Sequence, residues 1–222
     1  PCAFMDNYNP RTVFSAIDQM GRYAYANQPQ IGQWNLTIFA KTLLPCIHPN
    51  PEEALGIAKE VIATFPTLYI SKWLNMMRAK LGLFGTDTED EGLITELLDH
   101  MHDHNMDYTN TFYDLSKEAI PGHAIYQSPA FANWHQRWQD RIHKNKQPGN
   151  EARALMQQTN PAIIPRNHMV ERVLLAAYEG DYEPMTHMLT ALKQPYQKHD
   201  THHIYHQPPK PKERIQHTFC GT

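Results

Sequence analysis

The sequence has few cysteines, little net charge and no long apolar run, and each shortage speaks against a class of protein. Three cysteines in 222 residues, Cys2, Cys46 and Cys220, are too few and too scattered for a secreted disulfide framework or a Cys-x-x-Cys zinc site. No apolar run approaches the ~20 residues that cross a bilayer, so we expect no membrane partner. The formal net charge is −3 and the lysines and arginines are dispersed, so we expect no nucleic-acid partner.

Catalytic motifs are also missing. The sequence contains no Gly-x-Ser-x-Gly elbow, no glycine-rich phosphate loop and no His-Glu-x-x-His pair. Cys46 stands two residues before His48, but a catalytic cysteine and histidine meet through the fold rather than through adjacency in sequence. A buried structural cysteine is therefore the favoured interpretation of Cys46. From the residues alone we predict no catalytic group in this chain.

Fourteen histidines raise the question of a metal site. His100 and His104 are one helical turn apart, a spacing that suits two ligands, although a third and fourth would have to come from elsewhere. The alternative is a solvated helix end, where histidine also suits the helix dipole. A second cluster has no rigid frame and favours adventitious binding over a built site. It consists of His199, His202, His203 and His206.

What the sequence does contain is helical periodicity. Apolar spacing, capping residues, glycines and prolines predict helices over 31–44, 51–65, 67–81, 93–104, 108–115, 129–143, 150–158, 167–178 and 182–193. Acidic residues at 87–91 suit the N-terminus of the fourth helix. They also imitate half of an EF-hand, but Leu98 stands where the bidentate glutamate belongs, so we predict no calcium loop. No internal repeat or hairpin signal appears.

Three helices carry apolar faces that we expect to be buried. Pro45 is predicted to end the first of them, and Gly82 to end the third helix of the chain. On the helix predicted at 31–44 the face consists of Leu36, Phe39, Ala40 and Leu43. On the helix predicted at 67–81 it consists of Leu68, Ile70, Trp73, Leu74, Met77 and Leu81, and on that at 167–178 of Val170, Val173, Leu174 and Ala177.

Several specific motifs then follow one another along the chain. They are "GRYAYANQPQIGQWNL" (21–36), "MRAKLGL" (77–83), "DYTNTF" (107–112), "NPAIIPRN" (160–167), the pair Gly180 and Asp181, and a cysteine near the C-terminus, Cys220. In content and order they resemble the selenoprotein O family, also called YdiU. The resemblance covers essentially the whole chain.

The resemblance implies a mainly α chain that forms the helical C-lobe of a protein-kinase-like fold. It divides the chain into an activation-segment-like loop (1–29), the C-lobe (30–195) and an extended Pro/His-rich tail (196–222). The implied activity moves AMP from ATP to Ser, Thr or Tyr hydroxyls of other proteins, with Mg²⁺ spreading the phosphate charge. The implied location is cytoplasmic for a bacterial member and mitochondrial for a eukaryotic one.

Pro1 matches the proline of the family's Asp-Tyr-Gly-Pro segment, which carries a metal-binding Asp. A Thr-Asp-Asn segment with the catalytic Asp precedes it in the family. The catalytic residues and the ligands of ATP and magnesium are therefore expected upstream of Pro1, in an N-terminal lobe that becomes a partner of this chain. We expect the chain by itself to be inactive. The alternative is a helical interaction module, or a pseudoenzyme without nucleotide chemistry.

Within the chain, the resemblance places Arg22 in the activation segment, where it contacts a phosphate or substrate or, as we favour, pins the loop to the C-lobe. Arg166 precedes a helix N-terminus, which disfavours a cation, so we predict a buried acidic partner. Many family members pair a cysteine near the position of Phe14 with the C-terminal one. We hypothesise that Cys2 substitutes and pairs with Cys220, a closure worth roughly 5 kcal/mol in the chain-entropy model.

Overall fold

The computed structural model describes residues 3–197, 203–215 and 218. The helices are α1 (Gln28–Ile47), α2 (Pro51–Ala63), α3 (Phe65–Lys80), α4 (Asp90–Asp103), α5 (Tyr108–Leu115), α6 (Pro129–His143), α7 (Gly149–Thr159), α8 (Asn167–Tyr178), α9 (Glu183–Leu192) and α10 (His203–His206). These ranges contain no strand, and one isolated bridge joins Asn7 to Asp107. The prediction of a mainly α chain is confirmed.

Capping side chains set the starts of several helices. The Asn50 side chain accepts hydrogen bonds from the backbone N–H groups of Glu52 (2.9 Å) and Glu53 (3.4 Å), so α2 begins where the sequence predicts. Asp107 Oδ1 accepts from the Asn110 N–H at 2.7 Å and starts α5 in the same way. Each bond satisfies a backbone donor that has no partner within its own helix.

Helix α1 is longer at both ends than its predicted range of 31–44. It starts at Gln28, inside the predicted 1–29 loop, because Pro29 fits the first turn, where a missing N–H breaks no hydrogen bond. The prediction that Pro45 ends the helix is wrong, since α1 continues to Ile47. A proline this close to the C-terminal end removes one backbone bond, and the cost stays within the last turn.

The larger hydrophobic core joins α3 through α7. Two tryptophans join α6 to α4 and to the end of α3. The Trp134 indole N–H donates to the Leu93 carbonyl (2.8 Å), and the Trp138 indole N–H donates to the Leu81 carbonyl (2.9 Å). Both rings are thus buried with their donors satisfied. Other members of this core are Met77, Ile94, Leu97, Met101, Phe112, Leu115, Phe131 and Met156.

Gly82 follows α3 and faces α7, and it ends the helix region as predicted. Its φ is +69°, a conformation that side chains with a Cβ rarely adopt. A Cβ at this position would lie 2.8 Å from the Ala152 carbonyl oxygen and 3.1 Å from Met156 Cγ. Glycine therefore permits both the turn and the approach of the two helices.

A smaller core forms around α8 and α9 and includes part of the tail. Its members are Ile163, Met169, Val173, Met188, Ala191 and Tyr205. Val173 is buried as predicted, but Leu174 is exposed, so the predicted α8 face is wrong at that position. The tail also differs from the expected extended segment with little to bury, because α10 forms and Tyr205 enters this core.

The apolar faces of α1 and of the first half of α3 are uncovered, contrary to prediction. Phe39 is 58% exposed and Leu68 56%, and none of the residues of α1 is buried. Periodicity shows which face of a helix is apolar, but it does not show that the same chain supplies the cover. The other exposed members of these predicted faces are Leu36, Leu43 and Ile70.

None of the helices in the described part of the chain combines the length and hydropathy that crossing a bilayer requires.

Candidate functional site

Arg166 lies at the centre of a buried ion-pair network that joins three parts of the chain. Its Nη1 donates to Asp6 Oδ1 (2.5 Å) and Asp107 Oδ2 (2.7 Å), and its Nη2 to Asp107 Oδ1 (3.1 Å) and Asn110 Oδ1 (3.0 Å). Only 1% of Arg166 is exposed. The predicted acidic partner is confirmed, and there are two.

Local structure explains why this arginine needs two carboxylates. Arg166 directly precedes α8, where the helix dipole is positive, and Asp107 directly precedes α5, where the dipole favours an anion. Burial alone lowers the pKa of Arg166, but the hydrogen bonds that Arg166 donates to Asp107 and Asp6, and its attraction to their charges, outweigh that effect and raise the pKa. Burial raises the pKa of Asp6, and its attraction to Arg166 offsets this only in part.

The network also anchors the start of the chain, residues 4–8, which we call the anchored segment. The Phe4 N–H donates to Asn167 Oδ1, and Asn167 Nδ2 donates back to the Phe4 carbonyl, both at 3.0 Å. At the other end, the Tyr8 N–H donates to the Met106 carbonyl at 2.9 Å. Together with the ion pairs of Asp6, these bonds hold the anchored segment against the N-termini of α5 and α8.

Arg22 lies in a tight loop that contacts α1. The Asp18 carboxylate accepts hydrogen bonds from the backbone N–H groups of Arg22 and Tyr23, each at 2.8 Å. Gly21 supplies the positive φ, +63°, that the turn requires. The Arg22 guanidinium carbon sits 4.7 Å from the centre of the Trp34 ring, a cation–π contact with α1.

Sequence reasoning missed a second buried network, because it treated Asp90 only as one acidic residue near a helix N-terminus. Asp90 is fully buried and accepts from Arg78 Nε (2.6 Å) and Arg141 Nε (2.7 Å). Burial raises the pKa of Asp90, but the bonds from Arg141, the Asp87 N–H and Arg78 outweigh it and hold the pKa below its usual value. Nothing in the sequence pairs residues 78, 90 and 141.

The histidine pair predicted on α4 is brought together, with ring centres of His100 and His104 4.2 Å apart. His104 Nδ1 lies 2.9 Å from the His100 carbonyl oxygen, and the His100 ring packs 5.5 Å from Phe131. In residues 3–197, 203–215 and 218, no three or more His, Cys, Asp or Glu side chains are placed to hold a metal ion. His199 and His202 of the tail lie outside these residues.

Of the three cysteines, the structure describes Cys46. Cys46 is exposed and free, so the prediction that it is buried is wrong, because the α1 face on which it lies has no cover. The hypothesised pair, Cys2 and Cys220, lies outside the described residues. Thr218 is described, and it joins the tail to the N-terminal region: its carbonyl accepts from the Ala16 N–H (2.7 Å), and its hydroxyl donates to the Phe14 carbonyl (2.9 Å).

Known proteins resemble this chain along its whole length. A family model described as "Protein adenylyltransferase SelO" matches residues 1–193. Proteins named "Protein nucleotidyltransferase YdiU" from Nitrosococcus oceani and Alcanivorax borkumensis are each 50% identical over 223 residues, which cover 100% of this chain and 45% and 46% of theirs. One from Alkaliphilus metalliredigens is 48% identical, covering 45% of its length. The chain spans about half the length of the curated relatives it matches.

Proposed function

The chain belongs to the SelO family of protein adenylyltransferases, and we propose that it is the C-terminal part of an enzyme that transfers AMP from ATP to Ser, Thr or Tyr hydroxyls of proteins. The match of the family model to residues 1–193 carries this proposal. The shared name of the relatives, protein nucleotidyltransferase, supports the same reaction class. We also propose that the helical region is the C-lobe of a kinase-like fold.

In the proposed reaction a protein hydroxyl oxygen attacks the α-phosphorus of ATP. The bond to the β-phosphate bridging oxygen breaks, pyrophosphate leaves, and the hydroxyl proton passes to a carboxylate base. Mg²⁺, when bound, would stabilise the charge on the phosphates. We place the base and the ligands of ATP and magnesium in the half of the relatives that this chain does not span.

The contribution of this chain is then positional. If Pro1 corresponds to the proline of the family's Asp-Tyr-Gly-Pro segment, the anchored segment follows a metal-binding aspartate by a few residues. Its bonds to Arg166 and Asn167 would hold the backbone of that aspartate in a fixed place relative to α5 and α8. Restricting the position of a reacting group in this way lowers the entropic part of an activation barrier.

The uncovered apolar face of α1 and α3 supports a second part of the proposal. An apolar surface of this kind is exposed on few monomeric proteins and marks a contact site. We propose that the N-terminal lobe covers this face, and a substitution of Phe39 tests that contact. In a longer chain that carries the lobe, Phe39→Lys should cost at least about 2 kcal/mol of unfolding free energy, and in this chain less than about 0.5 kcal/mol. Equal costs in both chains would contradict the contact.

Cys2 and Cys220 remain a proposed redox pair. The bonds of Thr218 to residues 14 and 16 support it, because they bring the chain two residues before Cys220 to the N-terminal region. Digestion of oxidised protein without reductant should release a peptide pair linked through Cys2 and Cys220. Recovery of both cysteines as free thiols would refute the pairing.

Transfer of AMP is tested by comparing this chain with a longer one that includes the upstream half of the relatives. Each is incubated with Mg²⁺ and ATP labelled at the α-phosphate, and in parallel with ATP labelled at the γ-phosphate. We expect α-label to enter the longer chain and no label to enter this one. Incorporation of γ-label alone would replace adenylylation by phosphorylation, and α-label in this chain would refute its inactivity. No label in either chain would favour the helical interaction module.

A further inference from the structure

Lys80, at the end of α3, is a buried cation with no anionic partner in the part of the chain that the structure describes. It is 8% exposed, and its ammonium donates to Asn160 Oδ1 at 2.9 Å. Within the described residues no carboxylate pairs with it, in contrast to Arg166 and Arg141, which each contact an aspartate. The Lys80 ammonium also lies 4.3 Å from the centre of the Phe112 ring.

These contacts leave part of the ammonium unsatisfied. A lysine ammonium has three N–H donors, and the described protein offers it one oxygen acceptor. The orientation of the Asn160 side-chain amide is fixed, because its Nδ2 donates to the Lys80 carbonyl oxygen (2.8 Å). Its Oδ1 therefore remains the acceptor that faces the ammonium. Burial lowers the pKa of Lys80 to about 8, which reflects an incompletely compensated charge.

A cavity of about 400 Å³ is lined by Lys80 and by Tyr108, whose ring centre lies 5.3 Å from the Lys80 ammonium. Its volume falls within the range of small-molecule sites. Its walls are mostly apolar or aromatic and include Met5, Phe14, Tyr25, Tyr108 and Ile164, with Gln28 and Thr109 as further polar groups. The described lining of the cavity thus combines one buried cationic side chain, two further polar side chains and a mostly apolar and aromatic wall.

We propose that this cavity binds a carboxylate carried on an aromatic or aliphatic body. The single positive charge of Lys80 matches a monoanion, and the apolar walls match the body that carries it. A phosphate dianion would need more donors than one ammonium supplies, and the described residues that line the cavity include no arginine. The carboxylate comes either from a free small molecule or from an Asp or Glu of the half of the relatives that this chain does not span.

The test uses sodium benzoate and its neutral analogue benzamide, titrated into this chain by calorimetry. Loss of one charge-assisted hydrogen bond predicts that benzamide binds at least about tenfold more weakly than benzoate. Lys80→Met should weaken benzoate binding by a similar factor. Lys117→Met is the matched control, because Lys117 also lies over an aromatic ring, that of Tyr113 at 4.8 Å, but already has a carboxylate partner.

Equal affinity for benzoate and benzamide in the unmodified chain would overturn the proposal, and this comparison holds even if Lys80→Met fails to fold. Absence of benzoate binding at millimolar concentration would overturn it as well.

The longer chain distinguishes the two sources of the carboxylate, with the Lys80 pKa followed by NMR of labelled lysine. Benzoate binding to both chains assigns a free carboxylate. Loss of benzoate binding in the longer chain, with the Lys80 pKa raised, assigns a carboxylate of the enzyme itself. Loss of binding with an unchanged pKa would refute an anionic occupant. None of these outcomes depends on adenylyl transfer.

Discussion

Replacing Arg166 with methionine should be among the most damaging single changes in this chain. Methionine keeps much of the length of the side chain but removes every hydrogen bond that the guanidinium makes to Asp6, Asp107 and Asn110. Two carboxylates would then lie in a partly buried site, with side-chain exposures of 21% for Asp6 and 11% for Asp107. Uncompensated buried charge is one of the few causes of a large mutational effect.

The magnitude follows from that geometry. Breaking a buried ion pair by removal of one partner costs about 3–5 kcal/mol, and the residual exposure of Asp6 places the expectation for Arg166→Met near the lower end, at about 3 kcal/mol. Asp107→Asn should cost less, because asparagine still caps α5 and Arg166 keeps Asp6. The coupling energy between the two changes should lie at about 1–3 kcal/mol.

Urea unfolding followed by circular dichroism measures all three quantities at pH 7. The matched control is Arg137→Met, because Arg137 forms an ion pair with Glu96 in which both side chains are about half exposed, 49% and 50%. Exposed pairs contribute about 0–1 kcal/mol. If Arg166→Met cost no more than Arg137→Met, the buried network would not be the stabilising contact that its geometry indicates.

Three further perturbations have defined outcomes. The pKa of Lys80 is lowered to about 8, so the folded chain loses the Lys80 proton at a lower pH than the unfolded chain does. Relative to Lys80→Met, the unfolding free energy should therefore rise by up to about 3 kcal/mol from pH 8 to 10.5. Parallel pH profiles of the two chains would refute an unpaired charge at Lys80. Gly82→Ala should destabilise the chain by at least about 1 kcal/mol more than Gly85→Ala. Both glycines have φ +69°, but only at position 82 would the new Cβ meet another atom, the Ala152 carbonyl oxygen at 2.8 Å. Equal melting temperatures of the two variants would contradict that clash. Asn50→Ala should cost about 1 kcal/mol in urea unfolding, and no change would show that its cap does not stabilise α2.

Local signals in the sequence were sufficient for most of the helices. The predicted range 108–115 matches α5 because Asp107 is both a strong cap and the residue before the first apolar position. The ranges 129–143 and 167–178 match α6 and α8. The prediction fails at Pro45 because the effect of a proline depends on how many helical hydrogen bonds follow it, and the residue type alone does not give that number.

Local signals also pointed to part of the site. A cation at the N-terminus of α8 is unfavourable by itself, and this was enough to predict an acidic partner for Arg166. The partner's identity was not predictable, because Asp6 and Asp107 are 160 and 59 residues away in the chain. Asp90, Arg78 and Arg141 carried no such local conflict, so their network went unseen.

The sequence by itself determined the helical class, the main helix boundaries and the family, because capping, periodicity and motifs are short-range properties of the chain. The tertiary structure decided which apolar faces are covered, which carboxylates neutralise Arg166 and that no carboxylate among the described residues pairs with Lys80. These depend on contacts between distant segments, and a buried charge or an apolar face is stabilised or left open only by what packs against it.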